Sequence, residues 1–327
     1  MENKIDFVIT WVNGNDEKWK KVKKKYAVKE DEINDNSKQR YRDYGSLKYL
    51  LRSIEKYAPW VRNIFLITDN QIPEWLNLHV SKIRIIDHSE IINNKYLPTF
   101  NSNAIEWNIY KIPELTENFV YFNDDMLLNR AVKPNDFFEN DLPKDFKVYN
   151  SIVPRQDFEH ILCSNLILMN SKFKKIKKTK LFNIKYGWQQ IRNFLLLPQL
   201  FRGIPGYLDS HGPLSLKKSS FEKVDDLWRE EIEKTISHRF RRYNDISIWL
   251  TRYFQLETGQ FKPRKVNFNK YYEINEVDKI KKDLITGKSH TLCINDAIVE
   301  NFNENSKKIT QVLEEKFKEK SEFERQT

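Results

Sequence analysis

Cysteine is nearly absent from this 327-residue chain. Cys163 and Cys293 are its only two, far apart and outside any CxxC or Cys/His spacing. This argues against a disulfide framework and against a zinc site, and it makes a reducing cytoplasm the natural compartment. Glycine and proline are sparse, at 8 and 11 residues, too few for a low-complexity linker or a fibrous repeat. No internal repeat is visible. Long hydrophobic runs are also missing: Phe194–Leu197 stops at Pro198, far short of the ~20 apolar residues that a membrane span needs. The opening Met1-Glu2-Asn3-Lys4-Ile5-Asp6 lacks the h-region of a signal peptide. The expectation is a soluble cytoplasmic protein, at most peripheral at the inner face of the plasma membrane.

What is present suits a globular chain: 39% hydrophobic, 13% aromatic and 31% charged residues, enough for a substantial core. The 56 basic residues outnumber the 46 acidic ones for a net charge of +10, part of it in lysine runs at Lys20–Lys25 and Lys172–Lys180. Such runs are either solvated faces or attractors of an anion. Nucleotide-sugars, lipid-linked pyrophosphates and acidic membrane surfaces meet that description as well as nucleic acid does. The runs are not interleaved with aromatics as in a stacking platform, and no nucleic-acid motif occurs, so no nucleic-acid partner is expected.

Four short β-rich segments punctuate the first half: Ile5–Thr10, Asn63–Thr68, Lys82–Asp87 and Phe119–Phe122. A lysine-rich helix follows the turn Asn13-Gly14-Asn15-Asp16. Asp43 is placed to cap a second helix whose Leu47, Leu50, Leu51 and Ile54 share one face, ending near Pro59. Asn101 or Ser102 caps a third, expected to run through Lys111. This order predicts an α/β fold with a largely parallel sheet, whose ligands bind beyond the carboxyl ends of the strands. From about Pro143 the pattern turns helical, with helices expected over Gly187–Phe201, Ser219–Thr235, Asp245–Glu257 and Asn303–Glu324. The organisation expected is one catalytic α/β domain over 1–302, helical from about 143, and a charged terminal helix over 303–327.

Candidate chemistry clusters at strand ends. Asn123-Asp124-Asp125 directly follows a hydrophobic strand, and adjacent carboxylates there can present oxygen to a hard cation or simply form a turn. Trp11-Val12-Asn13-Gly14 offers an aromatic face for a uracil and a glycine for close backbone approach, or a tight strand-to-helix turn. His211-Gly212-Pro213 and His238-Arg239-Phe240-Arg241-Arg242 flank a helix and combine a general base with phosphate-matching arginines. Paired aspartates, histidine and arginine are together the set that phosphoryl transfer uses. Cys293-Ile294-Asn295-Asp296 adds a carboxylate after a short apolar segment.

In order along the chain, these pieces resemble the four conserved regions of the Stealth family of sugar-1-phosphate transferases. The first is Ile5–Gly14. The second runs from Arg40-Tyr41-Arg42-Asp43 through Leu51–Arg62, Gln71-Ile72-Pro73 and Leu97–Glu106 to Tyr121–Met126. The third spans His211-Gly212-Pro213 to His238–Arg241, and the fourth is Cys293–Asp296. The resemblance implies a Rossmann-like, GT-A-like catalytic fold. It also implies a UDP-sugar donor, a lipid-linked oligosaccharide or polysaccharide acceptor, and a divalent metal, Mg²⁺ or Mn²⁺. By that analogy His211, Arg241, Asp125 and Glu106 are catalytic, and Asp124, Asp125 and Asp296 hold the metal. Trp11, Asn13, Gly14, Arg42, Asp43, Asn101, Asn103 and His238 would bind substrate. Two departures stand out: Ala297 follows Asp296 where the family often has a polar residue, and Asn70 replaces the usual glycine after Asp69. Asn tolerates left-handed backbone, so that turn can survive.

Overall fold

The computed structural model describes residues 4–27, 41–42, 44–154, 158–174, 179–296 and 301–325. Four parallel strands and one antiparallel strand form the central sheet: β1 (Ile5–Thr10), β2 (Ile64–Thr68), β3 (Ile83–Asp87), β4 (Asn118–Asn123) and, much later in the chain, β8 (Leu214–Lys217). Their order is β3-β2-β1-β4-β8, with β8 running against β4. β1, β2 and β4 are near-continuous apolar runs because both faces of the sheet are covered. Asp6 is the exception inside β1, and it is matched by two hydrogen bonds from Arg62 at 2.7 and 2.6 Å. The strand order reverses direction between β1 and β4, so their carboxyl ends flank the crevice where α/β sheets bind ligands. The fold is therefore the α/β, Rossmann-like, mostly parallel arrangement that the strand pattern predicts.

A second sheet, ordered β10-β11-β5, joins β5 (Met126–Leu128) to β10 (Asn269–Glu273) and β11 (Thr291–Asn295). A third, smaller one comprises β6 (Phe138–Glu139), β7 (Leu142–Asp145) and β9 (Lys262–Pro263). The sequence pattern announced neither. Helices α1 (Glu17–Ala27) and α2 (Ser46–Tyr57) separate β1 from β2, while α3 (His88–Ile91) and α4 (Ser102–Glu106) separate β3 from β4. α5 (Pro134–Phe137) follows β5, and α6 (Phe158–Lys172), α7 (Ile191–Leu195) and α8 (Leu197–Leu200) precede β8. α9 (Lys218–Leu227), α10 (Arg229–Ser237) and α11 (Trp249–Thr258) follow β8; α12 (Val277–Thr286) and α13 (Phe302–Lys316) complete the chain.

Several helices are shorter than their periodicity predicts, each for a local reason. The helix capped by Asn101 stops at Glu106, where the buried Trp107 indole donates to Ile246 O at 2.8 Å; Ile109–Lys111 is a separate 3-10 turn. The span expected over Gly187–Phe201 is instead the end of a 3-10 turn (Ile184–Gln190) followed by α7 and α8, with Leu196 (φ −90°, ψ 0°) between them, and Gly187 at its start lies outside helical space at φ 56° and ψ −144°. Ser219–Thr235 is two helices because Trp228, buried in the core, takes φ −138°. The helix expected from Asp245 starts at Trp249, Asp245 being engaged elsewhere. The terminal helix ends at Lys316, where Arg52 donates to Phe317 O and holds Glu324 through two further bonds. Asp43 lies outside the described residues, and the residue preceding α2 is Gly45, in left-handed conformation.

Candidate active site

The carboxyl ends of β1 and β4 carry the first half of the site. Residues two apart on a strand share a face, so Tyr121 and Asn123 point the same way, and Thr10 pairs with Asn123 across the ladder. The Tyr121 hydroxyl sits between Thr10 Oγ1 (2.8 Å), Asn123 Oδ1 (2.7 Å) and Glu106 Oε1 (3.1 Å). Glu106 is buried, and burial pushes its carboxyl up to about 7, against the opposing pull of Arg241 and of hydrogen bonds from Tyr121 and Ser102. Arg241 is fixed on the same rim by donating to Ser102 Oγ. Its neighbours Arg239 and Phe240 clamp the Pro98–Phe100 segment: Arg239 accepts from Phe100 N at 2.7 Å, and Phe240 stacks on Phe100 at 5.1 Å.

The second half forms where β4 turns into β5. Strand β11 lies against β5, with Cys293 opposite Met126, and Ile294 N donates to Asp125 O at 2.9 Å. The Cys293 thiol consequently reaches Asp125 Oδ2 at 3.4 Å, while the buried Asp125 Oδ1 has no hydrogen-bond partner among the described residues. Burial raises the Asp125 carboxyl to about 6; His211 acts against that rise and Asp296 adds to it. Burial raises the Cys293 thiol first, and Asp125, Asp209 and Asp124 add to the effect. Asp124 also bears on Tyr121 and so links the two halves.

His211 occupies left-handed backbone at φ 45°, a strained setting for a residue with a Cβ. Asp209 holds it there: Oδ1 accepts from His211 N at 2.6 Å, and Oδ2 lies 3.4 Å from His211 Nδ1. The segment leading in is anchored by Tyr207, whose hydroxyl donates to the buried Glu257 at 3.0 Å. Behind the loop Asn269 donates to Ser210 O, and its side chain lies so close that a Cβ at Gly212 would meet it at 2.4 Å. The imidazole, 46% exposed, opens toward the crevice beside Tyr271 and Trp249.

Asp296 faces Asp125 but is held by Arg42 through bonds of 2.6 and 2.7 Å. Among the described residues no group of three His, Cys, Asp or Glu side chains is arranged for a metal. Of the three carboxylates expected as ligands, Asp296 is engaged by Arg42. Asp124 with the unsatisfied Asp125 Oδ1 still fits Mg²⁺, which commonly takes one or two carboxylates and fills its sphere with phosphate and water.

Other expected site residues have structural duties. Trp11 is buried in the apolar cluster with Phe7 and Ile9. Asn13 is clamped by Gln71, which accepts from its N–H at 2.8 Å and donates to its carbonyl at 3.1 Å. Gly14 is needed for close approach, but to the chain itself: a Cβ there would meet Tyr41 O at 1.8 Å. Asn101 caps α4 and donates to His238 O and to Asp245 Oδ2 (2.8 Å), while the buried His238 ring bonds Asp245 Oδ1 at 2.6 Å. His238 and Asn101 therefore brace the loop carrying Arg241. Asn103 is different: its buried Nδ2 has no hydrogen-bond partner among the described residues, a donor held ready for an acceptor atom. Asn70 does adopt left-handed backbone, φ 52°, its N–H donating to Asp87 Oδ2 at 2.7 Å. Sequence reasoning passed over Asp209, the Tyr121 hydroxyl and the Cys293 thiol. Only Asp209 left a signal, lying two residues before a candidate histidine.

A base backed by a carboxylate, an arginine beside a buried acid, and paired aspartates at the switch point of a parallel sheet make up a group-transfer site for a charged ligand. Models of Stealth protein conserved regions 1, 2 and 3 match residues 3–28, 40–146 and 210–254. The exopolysaccharide phosphotransferase cps2G of Lactiplantibacillus plantarum is 45% identical over 98% of this chain and 96% of its own length. A capsular polysaccharide phosphotransferase WcwK of Streptococcus pneumoniae is 41% identical over 98% of each chain. The receptor polysaccharide phosphotransferase WefC of Streptococcus oralis is 38% identical over 90% of this chain and 91% of its own. The chain belongs to the Stealth family. Among solved structures, the galactosyltransferase LgtC with donor and acceptor sugar analogs aligns over 95% of each chain at a TM-score of 0.43 and 11% identity, too distant a likeness to bear on the chemistry.

Proposed function

We propose that the enzyme transfers hexose 1-phosphate or N-acetylhexosamine 1-phosphate from a UDP-sugar to a hydroxyl of a glycan acceptor. The product is a phosphodiester in a capsular or cell-wall polysaccharide, and UMP is released. The acceptor oxygen bonds the phosphorus that carries the donor sugar, and the bond from that phosphorus to the oxygen bridging to UMP breaks. His211 takes the hydroxyl proton on the nitrogen remote from Asp209, and Asp209 stabilises the imidazolium that forms. Arg241 faces the charge that develops on the transferring phosphoryl oxygens. Glu106, raised by burial to about 7, is positioned by Tyr121 to donate or accept a proton at the same rim. Asp124 and Asp125 would hold Mg²⁺ or Mn²⁺, which when bound neutralises charge on the donor diphosphate.

The observation that carries this reading is the Asp209-backed His211, whose charge bears on the Asp125 carboxyl, in a chain 45% identical to an exopolysaccharide phosphotransferase. A lipid-linked oligosaccharide or polysaccharide is the acceptor we favour, met by a cytoplasmic enzyme in peripheral contact with the inner face of the plasma membrane. The test is incubation with Mg²⁺, a panel of UDP-hexoses and UDP-N-acetylhexosamines, and crude lipid-linked acceptor, followed by identification of the nucleotide. UMP is expected, and the productive donor names the sugar. Release of UDP instead would mean glycosyl transfer and would replace this reading. Salt-sensitive nucleic-acid binding without turnover would replace both.

A further inference from the structure

Between Glu159 and Asp209 the chain has no acidic residue and nine lysines and arginines, in a protein that otherwise carries 46 Asp and Glu. Within that stretch, Ile184, Trp188, Phe194 and Leu195 are 90%, 72%, 62% and 67% exposed, and Ile191 is exposed beside them. All five fall on the 3-10 turn Ile184–Gln190 and on α7. This orientation is built, not loose. The buried Asn193 of α7 donates to Lys147 O (2.8 Å) and Leu181 O (2.6 Å) and accepts from Tyr149 N (2.7 Å). Arg192 is tied to Asn150 at 2.6 Å, and Leu196, Leu197 and Leu200 pack inward on the core. The polar side chain thus points inward while isoleucine, tryptophan, phenylalanine and leucine point to water, the reverse of an ordinary surface helix.

Exposed cations share this stretch of chain. Lys185 adjoins Ile184 in the chain. Lys172 and Lys174 stand at the end of α6, where Asn170 exchanges hydrogen bonds of 2.7 and 3.0 Å with Ile204 and so brings the exposed Arg202 alongside. Exposed aliphatic and aromatic side chains, a tryptophan among them, in a stretch whose charges are all lysine and arginine are what a protein presents to an anionic lipid headgroup region. A second copy of the chain fits poorly, because a two-fold interface would set this cationic stretch against itself.

We propose that the face formed by Ile184, Trp188, Ile191, Phe194 and Leu195 docks on an anionic lipid bilayer. The segment leads through Tyr207 into Asp209 and His211, so the docking face and the His211 loop belong to one stretch of chain. The inference goes beyond the reaction proposed above and stands without it, since binding is measured with no substrate present.

The full chain is sedimented with vesicles of phosphatidylcholine alone and of phosphatidylcholine mixed with phosphatidylglycerol. Binding to the mixed vesicles is expected to be about tenfold tighter or more, and weakened by salt. The variant Trp188→Asp/Phe194→Asp/Leu195→Asp, with an unchanged circular dichroism spectrum and melting temperature, is expected to bind the mixed vesicles about tenfold more weakly or less. Lys172→Glu/Lys185→Glu is expected to remove most of the preference for anionic lipid. Failure of the native chain to sediment with mixed vesicles overturns the proposal, as does undiminished binding by the triple variant. A native dimer that the triple variant converts to monomer, with no vesicle binding, overturns it in favour of a second copy.

Discussion

Arg42 and Asp296 meet in a two-bonded ion pair, 2.6 and 2.7 Å, that ties the chain ahead of α2 to the end of β11. The guanidinium also lies 3.8 Å over the Phe302 ring at the start of α13. One contact therefore joins the amino-terminal region, the second sheet and the terminal helix beside the catalytic crevice. A bidentate pair of this geometry is specific in a way a surface pair is not.

Removing either partner leaves the other charge partly desolvated. Arg42→Ala and Asp296→Ala are each expected to lower stability by about 1–3 kcal/mol, and the double variant to lose less than their sum. Thermal or urea melts of the four proteins measure this coupling. Because Asp296 is committed to Arg42, the Mg²⁺ concentration for half-maximal turnover should be unchanged in Asp296→Asn. In Asp125→Asn it should rise about tenfold or more. An equal rise in both would restore Asp296 to the metal.

His211 depends on Asp209 for its backbone conformation and for the carboxylate facing its ring. His211→Ala should lower kcat by about 10²–10⁴-fold. Asp209→Asn keeps the side-chain oxygen that accepts from His211 N but loses the charge, so kcat should fall by about tenfold or more while donor KM and melting temperature stay put. Steady-state kinetics beside a thermal melt separates this from a purely structural role. A normal kcat removes Asp209 from the scheme.

Arg241→Ala should lower turnover by about 10²–10³-fold with the fold retained. Arg241→Lys should recover little of it, because an ammonium cannot reproduce the guanidinium fork that donates to Ser102. Near-normal turnover in Arg241→Ala would mean the phosphoryl group lies elsewhere.

Glu106 makes stability depend on pH. Burial pushes its folded carboxyl up to about 7 from an ordinary 4.5, so between those values the native state holds a proton that the unfolded chain has released. Its contribution is fully present below about 4.5 and is lost as pH rises through about 7, amounting to roughly 3 kcal/mol. Glu106→Gln, which stays neutral, should flatten that part of the curve and be more stable than the native protein at pH 8. Urea melts across pH 4–8 test the sign: a native stability that rises over this window through Glu106 contradicts it.

Much of this architecture was legible locally. The four parallel strands appear as short β-rich apolar runs, and the Asn123-Asp124-Asp125 cluster follows its strand as expected. Asn70 supplies the left-handed turn that its side chain permits. Helix lengths were less legible. Periodicity continues through Trp107 and Trp228, yet each helix stops there, because a buried indole serves packing between elements rather than the helix it interrupts.

The sequence by itself determined which segments become the core strands, that their polar ends gather along one edge, and that histidine, arginine and aspartate lie there. Local pattern suffices for this, since burial and backbone preference act over a few residues. Only the tertiary structure decided which charges meet. Asp296 goes to Arg42, His238 to Asp245 and the Cys293 thiol to Asp125, while Trp11 is withdrawn into the core. For Asp296 and Cys293 the partner is separated by more than half of the chain. No period in the sequence records a pairing made when β11 closes on β5, and that closure sets what each carboxylate is free to bind.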